Sequence, residues 1–304
     1  MAAIKTKIIV NPVAGAKTTY RKWPLINELL QSGGIPFEYQ YTEGVGHAIE
    51  LAREAAMNGY QFLVAVGGDG TANEVANGIL QSGDSHETTI GIISTGTGSD
   101  FIRTAGITKD YIKACSCLHE AGRRVIDVGV VEYCKNGQTC QRYFINSAGV
   151  GFDAQAIEAA GHLPKVFGGT IPYVLGLLKS VVSYRNKPVA INVDGRNEER
   201  RILTMVMANG RYFGGGMRIA PGADIYDGLL DVVSVGDIGK LDLLKTFPKI
   251  YNGTHITHPL VNIERATHVE ITSSEKLVIQ ADGEFLGECP ASFQMIPAAL
   301  GLAV

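Results

Sequence analysis

The turn Val66-Gly67-Gly68-Asp69-Gly70-Thr71 constrains this chain most. It follows the apolar run Phe62 to Val66 and opens a helical pattern over Thr71 to Leu80. Three glycines in such a place let backbone turn sharply and lie close to a ligand. The start of the helix that follows offers free N–H groups and a positive dipole end to an anion, which makes phosphate the expected guest. Asp69 supplies the charge that holds Mg²⁺ beside phosphates. A second loop of this kind, Ser94-Thr95-Gly96-Thr97-Gly98-Ser99-Asp100, follows the run Ile90 to Ile93. Both loops leave the carboxyl ends of strands, where open α/β sheets bind ligands. No G-x-x-x-x-G-K-[S/T] motif occurs, so the chain is not a P-loop nucleotidase.

The surrounding pattern fits that placement. Strand-like runs at Ile4 to Val10, Phe37 to Tyr41, Phe62 to Val66, Ile90 to Ile93 and Val125 to Val131 alternate with helical patterns at 20–32, about 49–56, Thr71 to Leu80 and Lys109 to Ala121. Such alternation predicts an α/β domain with a mostly parallel sheet. After about residue 130 the rhythm changes. Runs at Val189 to Val193, Leu203 to Ala208, Leu229 to Val235, Val269 to Ile271 and Leu277 to Ile279 recur mostly without helices between them, which predicts an antiparallel sheet or sandwich. Helical inserts are expected over Ala154 to Tyr184 and Gly239 to Tyr251. We expect a nucleotide-binding domain over 1–128 and a β-sandwich over 129–294, with 295–304 returning to the first domain.

Composition excludes several classes. With 45% apolar and 19% charged residues among 304, both domains can fill cores and disorder is excluded. Lys and Arg number 27 against 30 Asp and Glu, so no basic excess supports nucleic-acid binding. Five cysteines without a C-x-x-C pair point away from a disulfide framework or zinc site. The N-terminal residues lack a long apolar region and a cleavage site, and the stretch Ile171 to Val182 is too short to span a bilayer and carries Lys179. A soluble cytoplasmic protein is expected.

The ordered motifs resemble the diacylglycerol kinase catalytic-domain family of bacterial lipid kinases, relatives of sphingosine and ceramide kinases. Asn11-Pro12-x-x-Gly15, Gly67 to Thr71 and Gly96 to Asp100 carry the resemblance in the first half. Asn209-Gly210 with Gly214 to Gly216, Ala220-Pro221-x-Ala223, Asp227-Gly228-Leu229-Leu230-Asp231 and Asp282-Gly283-Glu284 extend it to the end of the chain. One departure stands in the second loop, where Ser99 replaces the common Asn. The resemblance implies an NAD-kinase-like α/β domain with a β-sandwich, ATP and Mg²⁺ as cofactors, and a lipid hydroxyl as acceptor, by default that of diacylglycerol. It implies a nucleotide pocket of Asn11, Gly15, Thr42, Gly67, Gly68, Asp69, Gly70, Thr71, Ala72, Asn73 and Thr97. It places Asp69, Asp100 and Asp127 around catalytic Mg²⁺ and a structural Mg²⁺ on Asp224, Asp227 and Leu229. Glu284 becomes the general base, with Asp69 the other candidate. A lipid substrate would bring the protein to the inner membrane face, and a homodimer is open to it.

Each residue also carries a plainer reading. Asp127 inside an apolar strand is costly unless metal or hydrogen bonds compensate, or it caps a strand end. Asp-Gly at 282–283 and 227–228 is a common hairpin signal. His47 is expected to cap a helix, and Arg123-Arg124 and Arg200-Arg201 to be solvated. The apolar, basic-flanked segment Gly161 to Asn186 fits either a bilayer-facing helix or a buried one. The rival functions are an NAD kinase, which shares G-G-D-G-T, and a catalytically silent lipid- or nucleotide-binding regulator. The Asp227 and Asp282-Gly-Glu284 motifs oppose the first, and the intact acids oppose the second.

Overall fold

Four short apolar strands, β1 (Thr6–Val10), β2 (Phe37–Tyr41), β3 (Phe62–Gly67) and β4 (Thr89–Ser94), pair in parallel in the order β2-β1-β3-β4 in the computed structural model. The structure describes residues 4–34, 36–83, 85, 87–161 and 184–304. The chain divides into two compact units, residues 1–127 with 297–304, and residues 128–296.

In the first unit the strands are separated by α1 (Ala14–Ser32), α2 (His47–Met57) and α3 (Asp69–Gln81), and β4 is followed by α4 (Asp100–Ala105) and α5 (Tyr111–Glu120). Buried β-branched residues make such a sheet stable with both faces covered. Ile8, Val10, Val64, Val66 and Ile93 meet Trp23, Ile26 and Leu30 of α1 and Ala114 and Leu118 of α5. The predicted face of α2 is buried at Leu51, Ala52, Ala55 and Ala56. Gly15, Ala16 and Lys17 at the start of α1 are left-handed (φ 59°, 54° and 66°), so the continuous right-handed helix begins after Lys17, close to the predicted 20–32. α4 was not predicted; it is only six residues long and lacks a full apolar period.

β5 (Arg123–Lys135) carries the chain into the second unit, and β15 (Glu284–Ala303) brings it back to pair with β4 through Gly301 and Leu302. Between them lie β6 (Gln138–Phe144), β7 (Ser147–Gly151), α6 (Phe152–Gly161), β8 (Lys187–Val193), β9 (Arg196–Ile202) and β10 (Thr204–Ala208). β11 (Leu230–Val235), α7 (Lys240–Thr246), β12 (Val261–Ala266), β13 (His268–Thr272) and β14 (Val278–Ala281) follow. Within the unit one antiparallel run is β12-β11-β10-β7-β14-β15, and β13 joins β15 to β8 and β9. Their inner faces meet in one core: Val150, Met205, Met207 and Ile279 from the first run against Val189, Ile191, Val269 and Phe293 from the second. This is the sandwich the sequence predicts.

The helix expected over Gly239 to Tyr251 is α7 followed by a 3₁₀ turn, Phe247–Asn252. Pro248 has no N–H to continue the α-helical ladder. Of the insert expected over Ala154 to Tyr184, α6 is described as far as Gly161. Most of the Gly161 to Asn186 segment lies outside the described residues. Among the described residues no helix is long and apolar enough to cross a membrane.

Candidate active site

Three loops interlock at the carboxyl ends of β1, β3 and β4. Asn11 donates from Nδ2 to Thr71 Oγ1 (3.0 Å), and its Oδ1 accepts the Val13 N–H (3.2 Å). Thr95 and Gly96 donate their N–H groups to the Gly67 carbonyl at 2.7 and 3.2 Å. The buried hydroxyls of Thr19 and Thr95 bond at 2.5 Å. Two glycines make this approach possible. A Cβ on Gly96 would stand 2.5 Å from Gly68 Cα, and one on Gly15, which has φ 59°, would stand 2.5 Å from the Thr95 carbonyl oxygen. Both contacts are to backbone, which cannot swing aside.

Asp69 crosses from one glycine loop to the next. Its Oδ2 accepts the Asp100 N–H and its Oδ1 the Phe101 N–H, both at 3.2 Å. A Cβ on Gly98 would lie 2.8 Å from Asp69 Oδ2 and 3.7 Å from Asp100 Oδ2, so this glycine keeps a space open beside both carboxylates. Ser99, where the motif departs from the family, has φ 60°, a region Asn enters more readily than Ser. Its hydroxyl bonds Ser94 Oγ at 2.9 Å.

The other expected pocket residues divide. Gly70 and Thr97 are exposed at the loop tips, and Thr42 sits at the end of β2 with its N–H on the Val10 carbonyl (2.9 Å). Ala72 and Asn73 turn into the core of the unit, with Asn73 accepting from Asn77 Nδ2. Both are buried in the first turn and a half of α3. Asp127 is buried and its Oδ1 accepts the Ala298 N–H at 2.7 Å, fastening the returning strand. Glu74, which sequence reasoning passed over, accepts the N–H groups of Gly46 (3.0 Å) and Ala48 (3.2 Å) and so holds the loop after β2. Its place one turn after Asp69 was the available signal. His47 caps locally, accepting the Glu43 N–H on Nδ1.

In the second unit another set of loops converges. Asp282 accepts the N–H groups of Ile145, Asn146 and Ser147 at 2.9, 3.1 and 2.8 Å. Asn209 and Gly210 donate to the Asn146 carbonyl, and Asn209 Nδ2 donates to Ile145 O. Asp282 and Gly283 both have positive φ (46° and 83°), a hairpin turn joining β14 to β15. That turn delivers Glu284, whose Oε2 pairs with Arg142 Nη2 at 2.8 Å. The turn reading of Asp-Gly therefore holds, and the turn sets Glu284 against Arg142.

Asp224 and Asp227 cap their own loop, accepting the N–H groups of Tyr226 (3.2 Å) and Leu229 (3.1 Å), and Arg265 lies 3.6 Å from Asp227. Asp231, unassigned from sequence, is buried nearby. Burial pushes its carboxyl above the ordinary range; Arg265 opposes this, and Asp227 and Asp224 add to it. Among the described residues no three His, Cys, Asp or Glu side chains form a metal cage. Mg²⁺ is commonly held by one or two carboxylates with phosphate and water completing the shell. The Asp69–Asp100 pair beside Gly98 fits that pattern.

With this geometry described, the comparisons carry weight. Residues 5–131 match the family model "Diacylglycerol kinase catalytic domain", and 146–304 match "YegS C-terminal NAD kinase beta sandwich-like domain". The chain belongs to the diacylglycerol kinase catalytic-domain family. As a family member it is a kinase. It is 29% identical over 290 residues to the diacylglycerol kinase of Bacillus subtilis (strain 168), covering 95% of this chain and 92% of that protein. A crystal structure of a diacylglycerol kinase from Bacillus anthracis str. Sterne superposes with a TM-score of 0.73 at 21% identity, covering 99% of this chain and 97% of that one. Yeast NADH kinase complexed with NADH superposes with a TM-score of 0.54 at 12% identity, covering 100% of this chain and 84% of that one. Both neighbours bear on the fold: kinases of this family share a two-part architecture with an NADH kinase.

Proposed function

We propose that the protein transfers the γ-phosphoryl group of ATP to the hydroxyl of diacylglycerol, yielding phosphatidate and ADP at a membrane surface. What supports a lipid over a dinucleotide is the likeness to proteins named diacylglycerol kinase, 29% identical over 95% of the chain, against 12% for the NADH kinase. An apolar cavity of about 60 Å³ in the second unit, lined by Leu203, Val206, Met217 and Ile238, is too small for an acyl chain as it stands.

Phosphoryl transfer needs positioning, charge neutralisation and a proton acceptor. The backbone of Gly67, Gly68 and Gly96, with Asn11 and Thr71 bracing it, would cradle the phosphates. Asp69 and Asp100, with Asp127 behind them, would hold Mg²⁺, which when bound neutralises charge on the transferring group. Glu284 would accept the proton of the lipid hydroxyl as its oxygen bonds to the γ-phosphorus and the bond to the β–γ bridging oxygen breaks. Arg142 orients the Glu284 carboxylate. Asp69 remains the other candidate for the proton acceptor.

A labelled-phosphate transfer screen tests this over diacylglycerol, monoacylglycerol, ceramide, sphingosine, phosphatidylglycerol and NAD. Label in phosphatidate is the expected result. Label in NAD and in no lipid would favour the NADH-kinase-like reading that the yeast neighbour raises.

A further inference from the structure

The same cavity wall has a polar corner. Asp153, in the first turn of α6, is 5% exposed and lines the cavity beside Thr204. Its Oδ1 lies 2.6 Å from Thr204 Oγ1, and its Oδ2 accepts from Gln280 Nε2 at 3.0 Å. Gln280, 1% exposed on β14, uses its Oε1 to accept the Gly283 N–H at 3.1 Å. Gly283 is the central residue of the turn that delivers Glu284. Across the sheet, Gly149 pairs with Gln280, and the space a Cβ would take there is filled by the Asp153 carboxyl and the Gln280 amide.

Counting protons gives this chain a direction. Thr204 Oγ1 also lies 3.1 Å from the Val150 carbonyl. A hydroxyl has one proton and cannot donate to both Val150 and Asp153. With the proton on Asp153, every partner is satisfied: Gly283 N–H donates to Gln280, Gln280 to Asp153, Asp153 to Thr204, and Thr204 to Val150. Burial pushes the Asp153 carboxyl above its ordinary range, in keeping with that count. A fully satisfied buried chain fixes the rotamer of each member.

We infer that Asp153 is a positioning residue that ties the wall of the apolar cavity, through Gln280, to the turn carrying Glu284. The inference rests on the reading of Glu284 as the group acting on the lipid hydroxyl. Its consequence is that the cavity and the proton acceptor form one mechanical unit. A substitution that displaces Asp153 is felt, through Gln280, at the turn that carries Glu284.

The test uses the full protein with ATP and diacylglycerol in mixed detergent micelles, and measures kcat, lipid KM, ATP affinity and melting temperature. Gln280→Leu keeps the volume of the side chain and cuts the chain of bonds. It should lower kcat by roughly 10- to 100-fold, the cost of a misplaced reacting group, with lipid KM and ATP affinity within about twofold. Asp153→Ala should fall at least as far. Asp153→Asn, which can still accept from Gln280 and donate to Thr204, should recover most of that loss; a merely structural or a charge-based role would not give this split. If Asp153→Ala does not fold, Gln280→Leu decides. Wild-type kcat in Gln280→Leu, with Glu284→Gln inactive, overturns the relay and leaves the Glu284 reading standing. Normal turnover in Glu284→Gln overturns that reading and the relay with it.

Discussion

Asp69 and Asp153 occupy the same local pattern in different units. Each sits in the first turn of a helix that follows a strand ending in glycine, β3 into α3 and β7 into α6. Their surroundings are opposite. Over Asp69 the next loop lays backbone, and its carboxylate accepts two N–H groups while staying partly open. Over Asp153 strands β10 and β14 lay side chains, Thr204 and Gln280, and close it from water. One carboxylate accepts backbone N–H groups and keeps contact with solvent; burial pushes the other above the ordinary carboxylate range. What covers the turn, and not the turn itself, decides the charge.

Asn substitutions should separate the two most widely. Asp69→Asn removes the negative charge proposed to hold Mg²⁺ beside the phosphates, and turnover should fall on the order of 10³-fold with the fold intact. Asp153→Asn keeps the hydrogen-bond pattern of a neutral acid and should lose less than about tenfold, the lower end of a positioning defect. Steady-state kcat checks both, with a thermal melt for folding. Comparable losses at the two positions would erase the contrast.

Alanine scanning of the two supporting glycines is the next sharpest test. Gly96→Ala drives a Cβ against Gly68 backbone, so the two phosphate loops must part. Overpacking of this kind costs about 1–3 kcal/mol. The loss should appear in melting temperature and ATP affinity together. Gly149→Ala instead displaces the Asp153 carboxyl and the Gln280 amide, and its loss should fall on kcat with ATP affinity kept. Calorimetric ATP titration beside kinetics reads the difference.

The contrast also marks how far the sequence could be read. The α/β unit was legible because strand runs and glycine turns there are local signals, and both glycine loops lie at strand ends. The sandwich was legible as a class but not strand by strand. β9 reads Arg-Asn-Glu-Glu-Arg-Arg-Ile and pairs with β8 alone, so its edge position permits charge that hides the strand pattern. Asp69 and Glu284 stood out in motifs. Asp153 and Gln280 did not, because they lie 127 residues apart, and Glu74 did not, because its partners lie 28 and 26 residues away; only folding brings each set together. The resemblance implies a pocket that includes Ala72 and Asn73, and the helical period turns both side chains inward.

The buried acid should leave a mark on stability. Unfolded, Asp153 releases its proton near the ordinary value of 3.8, whereas the folded protein holds it to higher pH. Between those two points the folded state binds the extra proton, so unfolding free energy falls as pH rises. Asp153→Asn has no proton to lose there. Melting curves of both proteins, followed upward from the ordinary value of 3.8, should show the wild type losing ground to the variant as pH climbs toward the raised folded-state value. Parallel curves would mean that Asp153 is ionised when folded, and the proton count at Thr204 would have to be redrawn.

The smallest effect belongs to the Asp224–Asp231 loop, whose acids fall between the two extremes. Asp227 is partly exposed, caps its own loop and has Arg265 at 3.6 Å, while Asp231 behind it is pushed upward by burial, with Asp227 and Asp224 adding to the shift and Arg265 opposing it. Arg265 faces both Asp227 and Asp231, and Asp224 and Asp227 add negative charge beside Asp231, which a divalent cation would relieve. A cation that binds only the folded state stabilises it by mass action, about 2.7 kcal/mol at one hundred times its dissociation constant. In a chain of this size each kcal/mol moves the melting temperature by roughly 2–4 °C. Wild-type protein should therefore melt several degrees higher in millimolar Mg²⁺ than in chelator, and Asp227→Ala should show little of that gain. Removing Asp227 also removes repulsion on Asp231, so the variant is expected to keep most of its stability without Mg²⁺. The difference between the two gains, not either melting temperature alone, is what assigns the ion to this loop. Equal gains in both proteins would place the Mg²⁺ effect elsewhere, with the Asp69–Asp100 pair the first place to look.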